Sequence, residues 1–185
     1  MRSLTGTIVL FSLFVITFTT PVPTSAIMLG MSTEQLTKES DAVVTGRVEK
    51  VESFWSHDHK VILSQATVAV ERRVRGAVLT DWITVEYLGG EVGDMGMGVS
   101  DMAPLKEGED VLLFLKSGKT ERYVSSSMDA ASQPVFNIVG KAQGKYTIDA
   151  GGMARKGGFS IEGPEQDVDR DIPLNRLILK IEKGE

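Results

Sequence analysis

The sequence predicts a mainly β protein, a small barrel or sandwich with a short helix near each end of the domain. Three observations predict it. Short runs rich in Val, Ile, Thr and aromatic residues recur with turn signals roughly every ten residues. Helical spacing is confined to two brief segments, and a glycine, Gly46, interrupts the first strand-like run, as a sharply bent strand requires.

The first element is not part of that domain. Residues 1–26 carry Arg2, an apolar run from Thr7 to Phe18 and small residues at Thr24-Ser25-Ala26, the layout of a secretory signal peptide. The apolar run is shorter than the roughly 20 residues of a membrane span, and Pro21 and Pro23 follow it. Cleavage after Ala26 is expected, leaving residues 27–185 as a single domain with no stable membrane anchor. That loss removes one Arg and no acid, so a net charge of −5 becomes −6. An acidic surface disfavours nucleic acid and anionic membrane as partners. The chain has no cysteine, hence no disulfide, thiolate metal site or cysteine nucleophile. An exported protein of this kind, in the periplasm or outside the cell, must be held together by its core.

The domain opens on Met31-Ser32-Thr33-Glu34-Gln35-Leu36. Ser32 and Gln35 have the spacing of a capping box, and Met31 and Leu36 that of a hydrophobic staple, so a short helix is expected to end near Ser40-Asp41. Residues 42–51 then read as a strand with Val44, Gly46 and Val48 on one face. In residues 62–70 the positions Ile62, Ser64, Ala66, Val68 and Val70 face inward, and Val74-Arg75-Gly76 turns the chain. Ile83, Val85 and Tyr87 alternate with Thr84 and Glu86 in a third strand. Residues 110–116, DVLLFLK, are apolar at successive positions, which predicts a strand covered on both faces. Glu107-Gly108-Glu109 before it reads as a turn with solvated carboxylates. Residues 122–127, 133–140 and 144–149 are further short strands, and 150–170 is expected to be loop. Leu174, Leu177, Ile178 and Ile181 recur at helical spacing, which places a helix in residues 170–185.

Two features invite chemical readings. Residues 89–100, GGEVGDMGMGVS, hold five glycines directly after the third strand. Gly93, Gly96 and Gly98 give G-x-x-G-x-G, with Asp101 where a dinucleotide fingerprint needs glycine, and the stretch has no Lys for a P-loop. Its Glu91 and Asp94 would repel phosphate. Met95, Met97 and Met102 offer three thioethers, to which His57 and His59 add imidazoles; such a set suits copper(I). The alternative is that a methionine fills a gap in the core and the histidines are a solvated loop tip. Neither H-E-x-x-H nor G-x-S-x-G occurs, so no catalytic residues and no cofactor are assigned. Arg72, Arg73 and Arg75 form a basic cluster that reads as a solvated strand end.

The order SDAVVTGRVEKVESFW (40–55), ILSQATVAVERRVRG (62–76), YLGGEVGDMGMGV (87–99), APLKEGEDVLLFL (103–115) and VGKAQGKYTI (139–148) resembles a family of uncharacterised exported bacterial domains, some associated with matrixin-type metalloproteases. More remotely it is similar to the OB-fold barrel of tissue inhibitors of metalloproteinases and netrin-like modules. The resemblance implies an OB-like five-stranded small barrel and a binding module, with a protein or peptide partner such as a protease. Those inhibitors reach the catalytic zinc through an N-terminal cysteine, which this chain lacks, so their mechanism does not transfer. The expectation is therefore an exported non-catalytic binding domain. Trp55, His57, His59, Gly93, Met95 and Met97 are its candidate partner-binding residues. The alternative is a metal site of His57, His59, Met95, Met97 and Met102.

Overall fold

A computed structural model describes residues 28–118, 134–157, 161–162 and 168–184. In chain order the elements are β1 (Met28–Leu29), α1 (Thr33–Glu39), β2 (Ala42–Trp55), β3 (Ile62–Arg75), β4 (Trp82–Leu88), β5 (Gly90–Val92) and β6 (Met95–Met97). There follow β7 (Asp110–Ser117), β8 (Val135–Ile138), a 3-10 turn at Lys141–Gly144, β9 (Lys145–Ile148), β10 (Met153–Arg155), β11 (Ile161–Glu162), β12 (Asp171–Pro173) and α2 (Leu174–Lys183).

Five strands close into a barrel in the order β2, β3, β4, β8, β7 and back to β2. All neighbours are antiparallel except β4 and β8. The mainly β, OB-like reading is correct. Closure depends on the long β2, which pairs with β3 along its length and with β7 through residues 42–47. Register shifts at Val43/Val44, Thr45/Gly46 and Val48/Lys50 bend it. At Gly46 a β-carbon would overlap the Ala69 carbonyl oxygen, so the bend is open only to glycine.

The two-faced strand is observed as β7. Val111, Leu113 and Leu115 point into the barrel with Val44, Val48, Ala66, Val68, Ile83 and Val85. Leu112 and Phe114 point outward into a second core with Leu36, Val43, Tyr146, Leu177 and Ile181. Helix α1 starts as expected, Gln35 N–H donating to Ser32 Oγ at 3.2 Å and Ser32 N–H to Gln35 Oε1 at 3.1 Å. The apolar face of α2 buries Leu177, Ile178 and Ile181, each worth about 1.5–3 kcal/mol on removal from water.

A fork after β8 connects the two cores. One edge of β7 pairs with β8 at residues 115–117 and with β9 at 111–113. Gly140, at φ 61°, and the 3-10 turn move the chain from one partner to the other. Strands β10 and β12 then extend the sheet beyond β9.

Four expectations change. Residues 150–170 contain β10 and β11 rather than loop alone, because Met153–Arg155 pairs with both β9 and β12. Thr84 and Glu86 are buried, and Glu86 accepts a hydrogen bond from Gln65 Nε2 at 2.9 Å. The glycine-rich stretch, to which the sequence reading assigned no strand, is a hairpin of β5 with β6. Glu109 is not a solvated turn residue: it pairs with Lys145 at 2.8 Å, their side chains only 13% and 9% exposed. The strand expected at 122–127, and residues 1–26, lie outside the described residues.

Candidate binding cavity beneath the glycine-rich hairpin

The hairpin begins with two glycines because the chain must leave β4 and fold across the barrel end at once. Gly89 and Gly90 have φ 102° and 136°, values that L side chains rarely adopt. The Gly89 N–H donates to the Ile62 carbonyl at 2.9 Å, which ties the hairpin to the start of β3. At Gly90 a β-carbon would overlap the hydroxyls of both Ser53 and Ser64. The β5 and β6 strands then reverse through Gly93-Asp94, with Gly93 at φ 60°, as a two-residue turn with glycine first requires.

Beneath the hairpin lies a cavity of about 630 Å³. Val51, Leu88, Met97, Val99, Met102 and Leu105 supply its apolar walls. Its polar lining includes Ser53, Ser64 and Tyr87, with Glu91 and Lys106 also lining it. Ser64 Oγ donates to the Gly89 carbonyl at 2.6 Å, and Ser53 Oγ stands 2.8 Å from Ser64 Oγ. Tyr87 donates to the Leu105 carbonyl at 3.4 Å, and burial pushes its phenol above the ordinary tyrosine range. A second hollow of about 780 Å³ shares Tyr87, Leu88 and Met102 with the first. Cavities of this size and mixed lining are the usual form of a ligand site.

The structure places the sequence-derived candidates as follows. Met97 and Met102 are half-buried and line the same cavity. Met95, two residues before Met97, is 60% exposed, and Gly93 is exposed at the hairpin turn. Trp55 ends β2 half-buried, opposite Ile62. His57 and His59 are exposed in the loop that joins β2 to β3, His59 at φ 53°. Buried Ser56 organises that loop: its hydroxyl donates to Asp58 at 2.7 Å and accepts from the N–H groups of Lys60 and Val61. The Ser56 hydroxyl and Lys60 together hold the Asp58 carboxyl down at about 2. The histidine loop and the hairpin meet at one end of the barrel, since Gly89 bonds to Ile62, the first residue after that loop's strand resumes. Neither histidine nor Met95 lines the cavity. Among the described residues no group of three His, Cys, Asp or Glu side chains is arranged to hold a metal ion.

Ser53, Ser64 and Tyr87 were not singled out from the sequence. The signal was present in part, because Ser64 falls on the inward face of its strand, a polar residue among apolar ones. That Ser53 faces it depends on the β2–β3 register, which the bulges shift. Two residues of the basic cluster are engaged: Arg72 pairs with Glu182 on α2, and Arg73 with Asp81 and the carbonyls of Val78 and Thr80. No protein-family model matches the chain, and no curated protein matches it.

Proposed function

We propose that this chain is an exported, non-catalytic binding domain that holds a protein or peptide partner at the barrel end where the glycine-rich hairpin and the histidine loop meet. One observation carries the reading: a cavity of about 630 Å³, largely apolar and bordered by a few polar side chains, opens beneath the hairpin at that end. Met97 and Gly93 belong to the hairpin, and Trp55, His57 and His59 to the neighbouring loop and strand end. Export rests on the leader-like residues 1–26 and on a chain without cysteine. A metalloprotease domain as the partner is the form the family resemblance suggests.

The test compares the protein with Met97→Arg, which puts a charged side chain into the cavity. Each is immobilised and exposed to periplasmic or culture extract at physiological salt. A partner retained by the native protein and lost from the variant supports the reading; no retained partner, or equal retention by both, refutes it. A second reading, copper(I) handling, draws on Met97 and Met102 sharing one cavity.

A further inference from the structure

The direction of the hydrogen bonds beside the cavity restricts what can enter it. A serine hydroxyl has one hydrogen. That of Ser64 goes to the Gly89 carbonyl, so the 2.8 Å contact between the two serines must use the hydrogen of Ser53. Ser53 Oγ, half-buried in the cavity wall, therefore keeps its lone pairs and has no hydrogen to give. The Tyr87 hydroxyl is turned toward the Leu105 carbonyl and Ser64 rather than the cavity. Ser53 thus presents an acceptor to the cavity, and the walls around it are largely apolar.

The charges and backbone at the rim add to this. Glu91, which lines the cavity, and Asp94, at the hairpin turn beyond it, are both exposed, and neither is in an ion pair among the described residues. Lys106 stands on another wall, so positive charge on a ligand is favoured on the hairpin side alone. Strand β6 is paired only with β5 among the described residues, leaving its other edge for an extended main chain.

We infer that the partner is an extended peptide that inserts a tyrosine side chain into this cavity, its hydroxyl donating to Ser53, with a basic residue beside it facing Glu91 and Asp94. Tyrosine fits because it is an apolar body with a single donor at its tip. This rests on the binding reading above and names the chemistry of its site.

The test uses the full chain and three probes in calorimetric titration: a capped Gly-Lys-Tyr-Lys-Gly peptide, the same peptide with Phe for Tyr, and free p-cresol. The tyrosine peptide is expected to bind about tenfold more tightly than the phenylalanine peptide, the factor one hydrogen bond gives. Ser53→Ala, which leaves the Ser64 bond to Gly89 in place, brings the two peptides to parity, and Glu91→Gln weakens both. Equal binding of both peptides to the native protein, abolished by Met97→Arg, would overturn the tyrosine inference and leave the binding reading standing. Binding of p-cresol as tightly as the tyrosine peptide would overturn the peptide in favour of a free phenol. If no probe binds while Met97→Arg still loses a retained partner in the extract experiment, the inference alone fails; loss of both results removes the binding reading as well.

Discussion

The hydroxyls of Ser53 and Ser64 lie 2.8 Å apart on neighbouring strands, both filling the space that a β-carbon on Gly90 would take where the hairpin crosses them. A side chain at Gly90 must displace that pair and also adopt φ 136°. Gly90→Ala is expected to lower stability by about 1–3 kcal/mol, the cost of a strained backbone position. Gly96→Ala, whose β-carbon meets only Glu91 Cγ at 3.6 Å, should change it by less than about 0.5 kcal/mol. Urea denaturation of the two variants checks this. Equal effects would show that the close approach is without consequence.

Glu109 couples the turn before β7 to β9. Its carboxylate accepts from Lys145 Nζ at 2.8 Å, Thr147 Oγ1 at 2.6 Å and the Lys106 N–H at 3.1 Å, while Lys145 also donates to the Pro104 carbonyl at 2.7 Å. Burial pushes the Lys145 ammonium below the ordinary lysine range even though Glu109 opposes the shift. Lys145→Met leaves a carboxylate largely buried without its cation and is expected to cost about 3–5 kcal/mol. Adding Glu109→Leu should restore much of that. A double-mutant cycle by denaturation measures the coupling.

Lys156 gives the clearest pH effect. Its ammonium lies 4.8 Å from the centre of the Tyr146 ring and has no hydrogen-bond partner among the described residues. Burial pulls it down to about 8 from 10.5, with Asp169 opposing and Arg170 assisting. Between those values the unfolded chain binds more protons than the folded one, so this group makes stability rise with pH from about 8 upward. Above 10.0 the buried phenols of Tyr87 and Tyr146, both raised by burial, act in the opposite sense. Lys156→Met should raise stability at pH 7 by about 1 kcal/mol or more and flatten the rise from pH 8 to 10. Melting temperatures across that range decide it; parallel profiles for both proteins would contradict it.

On the acid side, Asp169 matters more than the exposed carboxylates. Burial would raise it, but hydrogen bonds from Lys180 Nζ at 2.9 Å and Thr33 Oγ1 at 2.7 Å hold it below the ordinary value of 3.8. Its folded-state value is depressed, so its contribution is complete above about pH 4 and is lost as pH falls through the lowered value. Asp169→Asn should therefore be less stable than the native protein at pH 7 and approach it as pH falls through the lowered value. Acid titration followed by circular dichroism checks the convergence.

The copper reading makes its own prediction. Two thioethers in one cavity, with Met95 and both histidines outside its lining, make a poor ligand set. Copper(I) titration under reducing conditions should give equally weak binding to the native protein and to a variant with Met95, Met97 and Met102 all replaced by Ala. A loss of tight binding in that variant would restore the metal site.

Local sequence carried the elements whose physics is local. The Ser32/Gln35 capping box, the helical spacing of Leu177, Ile178 and Ile181, and the two-faced run at Val111 to Leu115 are each set by a few neighbouring residues. The burial of Glu86 and Glu109 was not legible, because the partners are Gln65 on a neighbouring strand and Lys145, 36 residues further on. A carboxylate beside a glycine reads as solvated until its cation is placed. For the same reason the candidate site was legible only in part: Met97 reached the cavity, while Ser53 and Tyr87 are ordinary strand residues until register and closure bring them together.

The sequence by itself determined a mainly β domain, barrel or sandwich, with two short helices, since alternation, capping and turn chemistry repeat along the chain. Only the tertiary structure decided that GGEVGDMGMGVS is a hairpin seated on Ser53 and Ser64 with a cavity beneath it. Glycine permits many backbone paths, and the one taken is selected by contacts more than twenty residues away in the chain, at Ile62, Ser64 and Ser53.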